Sequence, residues 1–292
     1  MVPKPHVLVT GASGLLGRYV SAAFADAGFS VTGADVVAAE RPQAPPTVIA
    51  NLAFDDLSGL FDRSTDVVVH AAAIPDLGRG RAEPDVLAEN VSGTARLMFA
   101  ALDAGVRRLV YVSSQSVLGL SRGPGVRSPA RLPVDELHPC QPRDGYALSK
   151  KLGEDLAEIL AERYAATVTS IRLPVIWDPA RREAHVSKRL SDPEQAARSN
   201  WAYVDVRDAA RAIVMAGART QPGHLIVNVA AARAFCQRPL AELVVEAYGP
   251  IPSDVDLSAD PSLFGSHRAA IELGFSPRYV WTQQDILEND ER

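Results

Sequence analysis

His6-Val7-Leu8-Val9-Thr10-Gly11-Ala12-Ser13-Gly14-Leu15-Leu16-Gly17 is the stretch that decides the fold. A short apolar run ends in a turn whose glycines recur every third residue, and a helical pattern follows at once. The order is strand, glycine turn, helix N-terminus. Free N–H groups and the positive end of the helix dipole converge there, which suits a phosphate group. The three glycines have separate roles. One makes the tight turn, one lets the backbone approach a pyrophosphate, and one lets helix and strand pack closely. Three glycines alone are a weak signal, and the strand before them and helix after them strengthen it.

Outward from this turn, strand and helix patterns alternate. Strands are expected at 7–10, 30–35, 47–50, 66–70, 107–113 and 167–173, and helices at 15–27, 83–104 and 146–164. The strands are short and apolar; Asp66-Val67-Val68-Val69-His70 is polar only at its ends. Such strands between helices mark a parallel sheet covered on both faces. The expected fold is α/β, a Rossmann-type doubly wound parallel sheet with a small C-terminal substrate-binding lobe. Residues 1–173 would form the dinucleotide-binding domain and 174–292 mainly the lobe, with segments near 201–229 returning to the sheet. Residues 178–200 read as a polar, basic loop carrying Arg181, Arg182, Lys188, Arg189 and Arg198. Regular structure is expected again at 201–204, 208–218, 225–229, 240–248 and 266–273. Ligands of such sheets bind at the carboxyl ends of the strands.

Composition bounds the function. The 292 residues are 47% hydrophobic and 22% charged, enough for one large domain or two small ones with a real core. A formal net charge of −5 implies no general nucleic-acid surface. Cys140 and Cys236 lie far apart without metal-ligand spacing, so no metal site is expected and both read as reduced thiols. No apolar run approaches the ~20 residues of a membrane helix. The chain enters its first strand without an apolar leader, which leads us to expect a cytoplasmic protein.

Asp35 ends the second strand, eighteen positions after Gly17. A carboxylate there accepts hydrogen bonds from both hydroxyls of a ribose and repels a 2′-phosphate, so NAD is expected over NADP. Arg41, in the loop beyond, is the one residue there that can greet such a phosphate.

Five motifs now stand in order: Thr-Gly-Ala-Ser-Gly-Leu-Leu-Gly (10–17), His-Ala-Ala-Ala (70–73), Asn-Val-Ser-Gly-Thr (90–94), Val-Ser-Ser (112–114) and Tyr-Ala-Leu-Ser-Lys (146–150). The ordered set resembles an extended short-chain dehydrogenase/reductase of the NAD-dependent epimerase/dehydratase type. The resemblance covers residues 6 to about 173 and is thinner afterwards, where Tyr203-Val204-Asp205-Val206-Arg207-Asp208-Ala209-Ala210 looks like the family's late helix start. It implies that Gly11, Ser13, Gly14 and Gly17 hold the pyrophosphate with Leu15 and Leu16 beside it, and that Asp35 holds the adenosine ribose. Asn51-Leu52 falls where the family often has Asp-Leu near the adenine. Ala71, Ala72 and Ala73 would line the cofactor where side chains must be small, Asn90 would lie toward the nicotinamide, and Ser113 and Pro174 would join the lining. The family commonly dimerises through a four-helix bundle, which here would use helices 83–104 and 146–164.

Tyr146 and Lys150, spaced i and i+4, share one helix face. A free tyrosine, with a pKa near ~10, is a poor base at neutral pH. A nearby ammonium, together with a positive nicotinamide, favours the phenolate. Tyr146 could then take a proton from a substrate hydroxyl as hydride leaves for NAD, and return it in the reverse direction. Lys150 could also hold the nicotinamide ribose, and Ser114 would hydrogen-bond the substrate oxygen.

The departures narrow the chemistry. Relatives that dehydrate nucleotide sugars place Asp-Glu after this serine, and related decarboxylating members keep a glutamate at the second position. Gln115 and Ser116 are not acids, so both reactions are disfavoured. Ile171-Arg172-Leu173-Pro174-Val175-Ile176-Trp177-Asp178-Pro179 resembles a segment whose usual asparagine touches nucleotide-sugar phosphates; Val175 cannot make that bond, and Leu118 replaces a common tyrosine. A free sugar, sugar acid or small hydroxy or keto compound becomes the expected substrate. Epimerisation of a nucleotide sugar through a transient 4-keto intermediate stays open, as does a non-catalytic NAD-sensing protein. Arg181 and Arg182 read either as a clamp on a substrate anion or as part of a solvated loop, and Arg79 and Arg81 carry the same two readings. His70 reads as structural, His185 as a residue that could reach substrate, and Trp177 and Trp201 as pocket walls or packing.

Overall fold

A computed structural model describes residues 4–38, 44–61, 64–75, 80–122, 125–251, 255–259 and 261–281. Arg41 and Arg79 lie outside the described residues, as does the side chain of Arg182. The first half alternates β1 (His6–Thr10), α1 (Leu15–Asp26), β2 (Ser30–Asp35), β3 (Thr47–Ile49), β4 (Thr65–His70), α2 (Glu83–Asp103), β5 (Arg108–Ser114), α3 (Gly145–Arg163) and β6 (Thr167–Leu173). Then come β7 (Val175–Trp177), α4 (Arg182–Ser191), α5 (Pro193–Arg198), β8 (Tyr203–Asp205), α6 (Val206–Gly217), β9 (Gly223–Asn228), α7 (Leu240–Tyr248) and α8 (His267–Leu273).

Among the described residues, seven strands form one parallel sheet in the order β3-β2-β1-β4-β5-β6-β9. Strand order reverses on either side of β1, which pairs with both β2 and β4; a crevice opens at such a switch point. The strands read as continuous apolar runs because both faces are covered. Val7, Val9, Val67, Val69, Val110 and Val112 pack on one face with α1 and α6, through Val20, Phe24, Ala209 and Ile213. The alternate residues Leu8, Val68, Leu109 and Tyr111 pack on the other face with α2 and α3, through Leu97, Leu102, Ala157 and Leu160. Burying one such side chain contributes about 1.5–3 kcal/mol, so the two cores fix the strand ends against each other.

Residues 178–200 are not a loop. A 3₁₀ turn at Pro179–Arg181 leads into α4 and α5. The apolar pattern is too sparse to show this, because these short helices bury few residues. Asp192 caps α5 by accepting from Gln195 N at 2.9 Å, and Pro193 follows at its first position. Beside them, β7 pairs with β8 in parallel. Trp177, Tyr203, Phe235 and Trp281 form the aromatic centre of this region; the Trp177 and Tyr203 rings stack at 4.4 Å. Trp177 and Trp201 are 2% and 4% exposed, so both pack rather than line an open pocket.

Candidate active site

The glycine turn closes at the carboxyl end of β1. Gly11 sits at φ +70, where side chains are strained, and its N–H donates to Ala34 O at 2.8 Å. A Cβ on Gly17 would lie 2.7 Å from the Gly11 carbonyl carbon and 2.8 Å from Ala12 Cα, so α1 packs on the turn only without a side chain there. Gly14 differs: it is exposed, and its nearest neighbour would be Gly11 O at 3.2 Å. Gly14 is also the N-cap of α1, where no side chain caps the helix. Two glycines thus build the turn, and the third keeps an exposed helix N-terminus open, a cradle for a phosphate.

Asp35 ties the turn to the end of β2. Its Oδ2 accepts from Ser13 N at 2.9 Å and its Oδ1 from Val36 N at 2.7 Å, while Ser13 Oγ donates to Val37 O at 2.9 Å. Asn51 Oδ1 accepts from Ala53 N at 3.0 Å, its Nδ2 donates to Glu89, and Leu52 is 9% exposed. Ala71 and Ala72 are half-buried and Ala73 exposed, along the segment leaving β4. Asn90 pins that segment: its Oδ1 accepts from Ile74 N at 2.8 Å, and its Nδ2 donates to Ile74 O at 3.1 Å and Ser149 Oγ at 3.3 Å. His70 is structural, bridging Thr10 Oγ1 at 2.8 Å and Thr94 Oγ1 at 2.9 Å. Burial, with the Lys150 charge, lowers its pKa to about 3, so it stays neutral.

Ser114, Tyr146 and Lys150 converge where β5 ends and α3 begins. Asp144 caps α3, accepting from Ala147 N at 2.6 Å, which sets the direction in which Tyr146 leaves the first turn. The Tyr146 hydroxyl lies near enough to the Ser114 side chain for that hydroxyl to lower its pKa, and Ser114 Oγ accepts from Ser116 N at 3.1 Å. Lys150 is 4% exposed; its ammonium donates to Val112 O at 2.8 Å and lies 5.8 Å from the Tyr146 ring centroid. Burial lowers the Lys150 pKa to about 8, opposed by Glu154. Loss of hydration raises the Tyr146 pKa, opposed by the Arg122 charge and by the Ser114 hydrogen bond. Arg122, whose guanidinium carbon is 5.2 Å from the ring centroid, is therefore a cation of this site that sequence reasoning missed. It lies in an irregular segment with no periodicity to flag it.

Beneath the site runs a second element the motifs did not reveal. Glu154 and Arg172, 1% and 2% exposed, form a bidentate pair: Arg172 Nε donates to Oε1 at 2.8 Å and Nη2 to Oε2 at 2.7 Å. Ser113 Oγ donates to Glu154 Oε1 at 2.6 Å, so that side chain serves this network. The signal existed, since Glu154 follows Lys150 by four positions on one helix face.

Gln115 and Ser116 are buried in a 3₁₀ turn after Ser114, and among the described residues Gln115 Oε1 and Ser116 Oγ have no hydrogen-bond partner. Pro174 is buried between β6 and β7, and Val175 is 41% exposed. Arg181 is exposed at the start of α4. Arg81 pairs with Glu89 and Arg198 with Glu194, and Arg189 donates to Ser199 Oγ at 2.8 Å and Ala202 O at 3.0 Å. His185 accepts from Asp178 N at 3.0 Å and stacks on Trp177, so it ties α4 to the end of β7.

The chain is similar to known proteins in sequence and fold. The model of the NAD dependent epimerase/dehydratase family matches residues 7–230. A UDP-glucose 4-epimerase of Streptomyces lividans is 29% identical over 250 residues, covering 73% of this chain and 71% of that protein. The uronate dehydrogenase of Pseudomonas syringae pv. tomato is 26% identical over 175 residues, 59% of each chain. Alignments with three UDP-glucose 4-epimerases span 44%, 58% and 71% of those proteins. Among solved structures, a short-chain dehydrogenase/reductase superfamily protein from Agrobacterium tumefaciens with bound NAD superposes with a TM-score of 0.70 at 22% identity, over 98% of this chain and 100% of that one.

Proposed function

The chain belongs to the NAD-dependent epimerase/dehydratase family, and from that premise we propose that it interconverts a hydroxyl and a keto group on a free sugar, sugar acid or related small molecule. The observation that carries this reading is the convergence of Ser114, Tyr146 and Lys150 at the carboxyl end of β5.

The turn fits a dinucleotide. Its open position at Gly14 admits a pyrophosphate to the α1 N-terminus, with Gly11, Ser13, Leu15, Leu16 and Gly17 around it. Asp35, with lone pairs left to accept, takes the adenosine ribose. Asn51 and Leu52 flank the adenine, and Ala71, Ala72, Ala73, Ser113 and Pro174 border the remainder. Asn90 acts through the 74 segment that it pins. When bound, NAD supplies the acceptor and donor of hydride.

The protein's own groups handle the proton. Ser114 Oγ orients the substrate oxygen. Tyr146 Oη removes its proton in oxidation and returns it in reduction. Lys150, anchored on Val112 O, presents its remaining N–H groups to the nicotinamide ribose and adds positive charge beside Tyr146. Gln115 and Ser116 offer no carboxyl group, which supports simple hydride transfer over dehydration or decarboxylation. The experiment is turnover with NAD over sugars, sugar acids and keto compounds. Activity that vanishes in Tyr146→Phe with NAD affinity retained supports the reading. An unchanged Tyr146→Phe sinks it.

A second reading, epimerisation of a nucleotide sugar, is favoured by the relatives' identities. It predicts conversion of UDP-glucose to UDP-galactose without net change in NAD. The exposed Val175, which cannot bond a phosphate, supports the first reading. We also propose a homodimer through α2 and α3, because Leu148, Leu152 and Ile159 stand 36%, 40% and 61% exposed along one face of α3. A monomeric mass in solution would refute it.

A further inference from the structure

The segment between β5 and α3 carries Arg122, Arg127, Arg131 and Arg143. Three of them have evident local partners. Arg131 pairs with Asp135 at 3.3 Å, Arg127 donates to Gln141 Oε1 at 3.2 Å, and Arg143 donates to the Arg122 carbonyl at 3.4 Å. Arg122 instead turns its guanidinium onto the ring of Tyr146.

Three parts of the site hold it there. Its Nη2 donates to Pro75 O, in the segment leaving β4, at 3.1 Å. Its Nε stands 3.6 Å from Asp144 Oδ2, at the start of α3. Its main chain is held by Arg143. A guanidinium braced in this way has lost most of its rotamer freedom before any ligand arrives, so binding costs less. The contact to Asp144 is a long one, at 3.6 Å, and the Oδ1 of that carboxylate is spent on capping α3. Among the described residues Nη1 makes no hydrogen bond, and the side chain is 32% exposed, so an edge of the fork still reaches solvent. At Tyr146 the Arg122 charge outweighs that of Asp144. The other cation near this ring, Lys150, is buried and anchored by one N–H on Val112 O.

We propose that Arg122 selects the substrate, its free guanidinium edge taking a carboxylate carried on the same small molecule whose hydroxyl meets Ser114 and Tyr146. The inference rests on the hydride-transfer reading of this site and names its substrate class: a hydroxy acid or sugar acid rather than its neutral counterpart. A planar carboxylate matches a guanidinium fork, which a sugar hydroxymethyl group does not.

The test uses matched pairs that differ only in the anion: D-galacturonate with D-galactose, D-glucuronate with D-glucose, and 3-hydroxybutyrate with 2-butanol. Two quantities are read for the wild type, Arg122→Gln and Arg122→Lys. One is kcat/KM with NAD; the other is calorimetric binding of each compound in the presence of NADH in a Tyr146→Phe background. The wild type should prefer at least one acid, and Arg122→Gln should lose about 10- to 100-fold of that preference, read as the ratio of acid to neutral partner so that any effect on the Tyr146 proton, common to both compounds, cancels. Arg122→Lys should recover part of the loss, since it keeps the charge without the fork. NAD affinity and melting temperature, measured alongside, show whether each variant folds. If Arg122 only straps the Pro75 segment to α3, acid and neutral compounds weaken equally, and the proposal fails. It fails too if the wild type binds no acid better than its neutral partner. A wild type that turns over none of these compounds, yet binds an acid better than its neutral partner and loses that preference in Arg122→Gln, would refute the hydride-transfer reading and leave the Arg122 assignment standing.

Discussion

Gly14→Ala and Gly17→Ala, three residues apart in one motif, should fail in opposite ways. At Gly17 the new Cβ would lie 2.7 Å from the Gly11 carbonyl carbon and 2.8 Å from Ala12 Cα, both backbone atoms. That is roughly 1 Å short of ordinary carbon–carbon contact, so α1 must move off the turn. Alanine's better helix propensity contributes about 1 kcal/mol, whereas overpacking costs about 1–3 kcal/mol and more where only backbone can yield. We expect net destabilisation of about 2 kcal/mol. At Gly14 the nearest atom is Gly11 O at 3.2 Å, and the backbone, at φ −71 and ψ 171, suits alanine. The poorer N-cap costs about 0.5–1 kcal/mol, and reduced freedom of the unfolded chain offsets about as much. Stability should barely change, but the methyl group then occupies the space through which a pyrophosphate reaches the α1 N-terminus. Loss of one charge-assisted hydrogen bond, about 1.5–3 kcal/mol, weakens NAD binding by about 10- to 150-fold. Urea denaturation gives the stabilities and fluorescence titration the NAD affinities. A stable Gly17→Ala, or a Gly14→Ala that binds NAD like the wild type, would refute the division of labour assigned to these glycines.

Three other outcomes are expected. Asp35→Ser removes the carboxylate that repels a 2′-phosphate, so the ratio of NAD to NADP affinity should fall at least about tenfold; an unchanged ratio would dissociate Asp35 from the ribose. Glu154→Gln leaves Arg172 buried without its counter-charge and should cost about 3–5 kcal/mol on chemical denaturation. It also removes the charge that raises the Lys150 pKa, so in enzyme that still folds the alkaline limb of the rate profile should move below about 8; a limb that stays put would separate Glu154 from Lys150. His70, held near 3 when folded, takes up a proton more readily when unfolded, where its pKa is near 6.5. Its contribution is therefore full above about pH 6.5 and declines as pH falls toward 3, by about 1.4 kcal/mol per pH unit. His70→Gln should flatten the loss of stability between about pH 6 and 4, and an unaltered slope would contradict the burial of a neutral imidazole.

Much of the fold is legible in the sequence because its signals are local. Val7–Val9 and Val67–Val69 place apolar side chains on both faces of their strands, and that pattern states that both faces are covered. The 181–198 region escapes such a reading because α4 and α5 bury little and offer almost no apolar periodicity. In the site, Tyr146 and Lys150 are readable from their i, i+4 spacing. Arg122 is not, since nothing in an irregular segment marks one arginine among four as the one aimed at the tyrosine.

The sequence by itself pointed to the glycine turn, the alternation of strands and helices as far as β6, and the Tyr146–Lys150 pair, because each depends on backbone preference or spacing along a single element; Ser114, on another element, joined them only through the ordered motifs that resemble a family. Tertiary structure decided what those groups face. It divided the glycines, two packed against backbone and one left open to a ligand. It spent Ser113 on Glu154, Asn90 on the 74 segment and His185 on Asp178. It brought Arg122 over Tyr146 across a separation of 24 residues. Contacts between side chains that distant in the chain depend on how loops cross the carboxyl edge of the sheet, and no local pattern encodes that path.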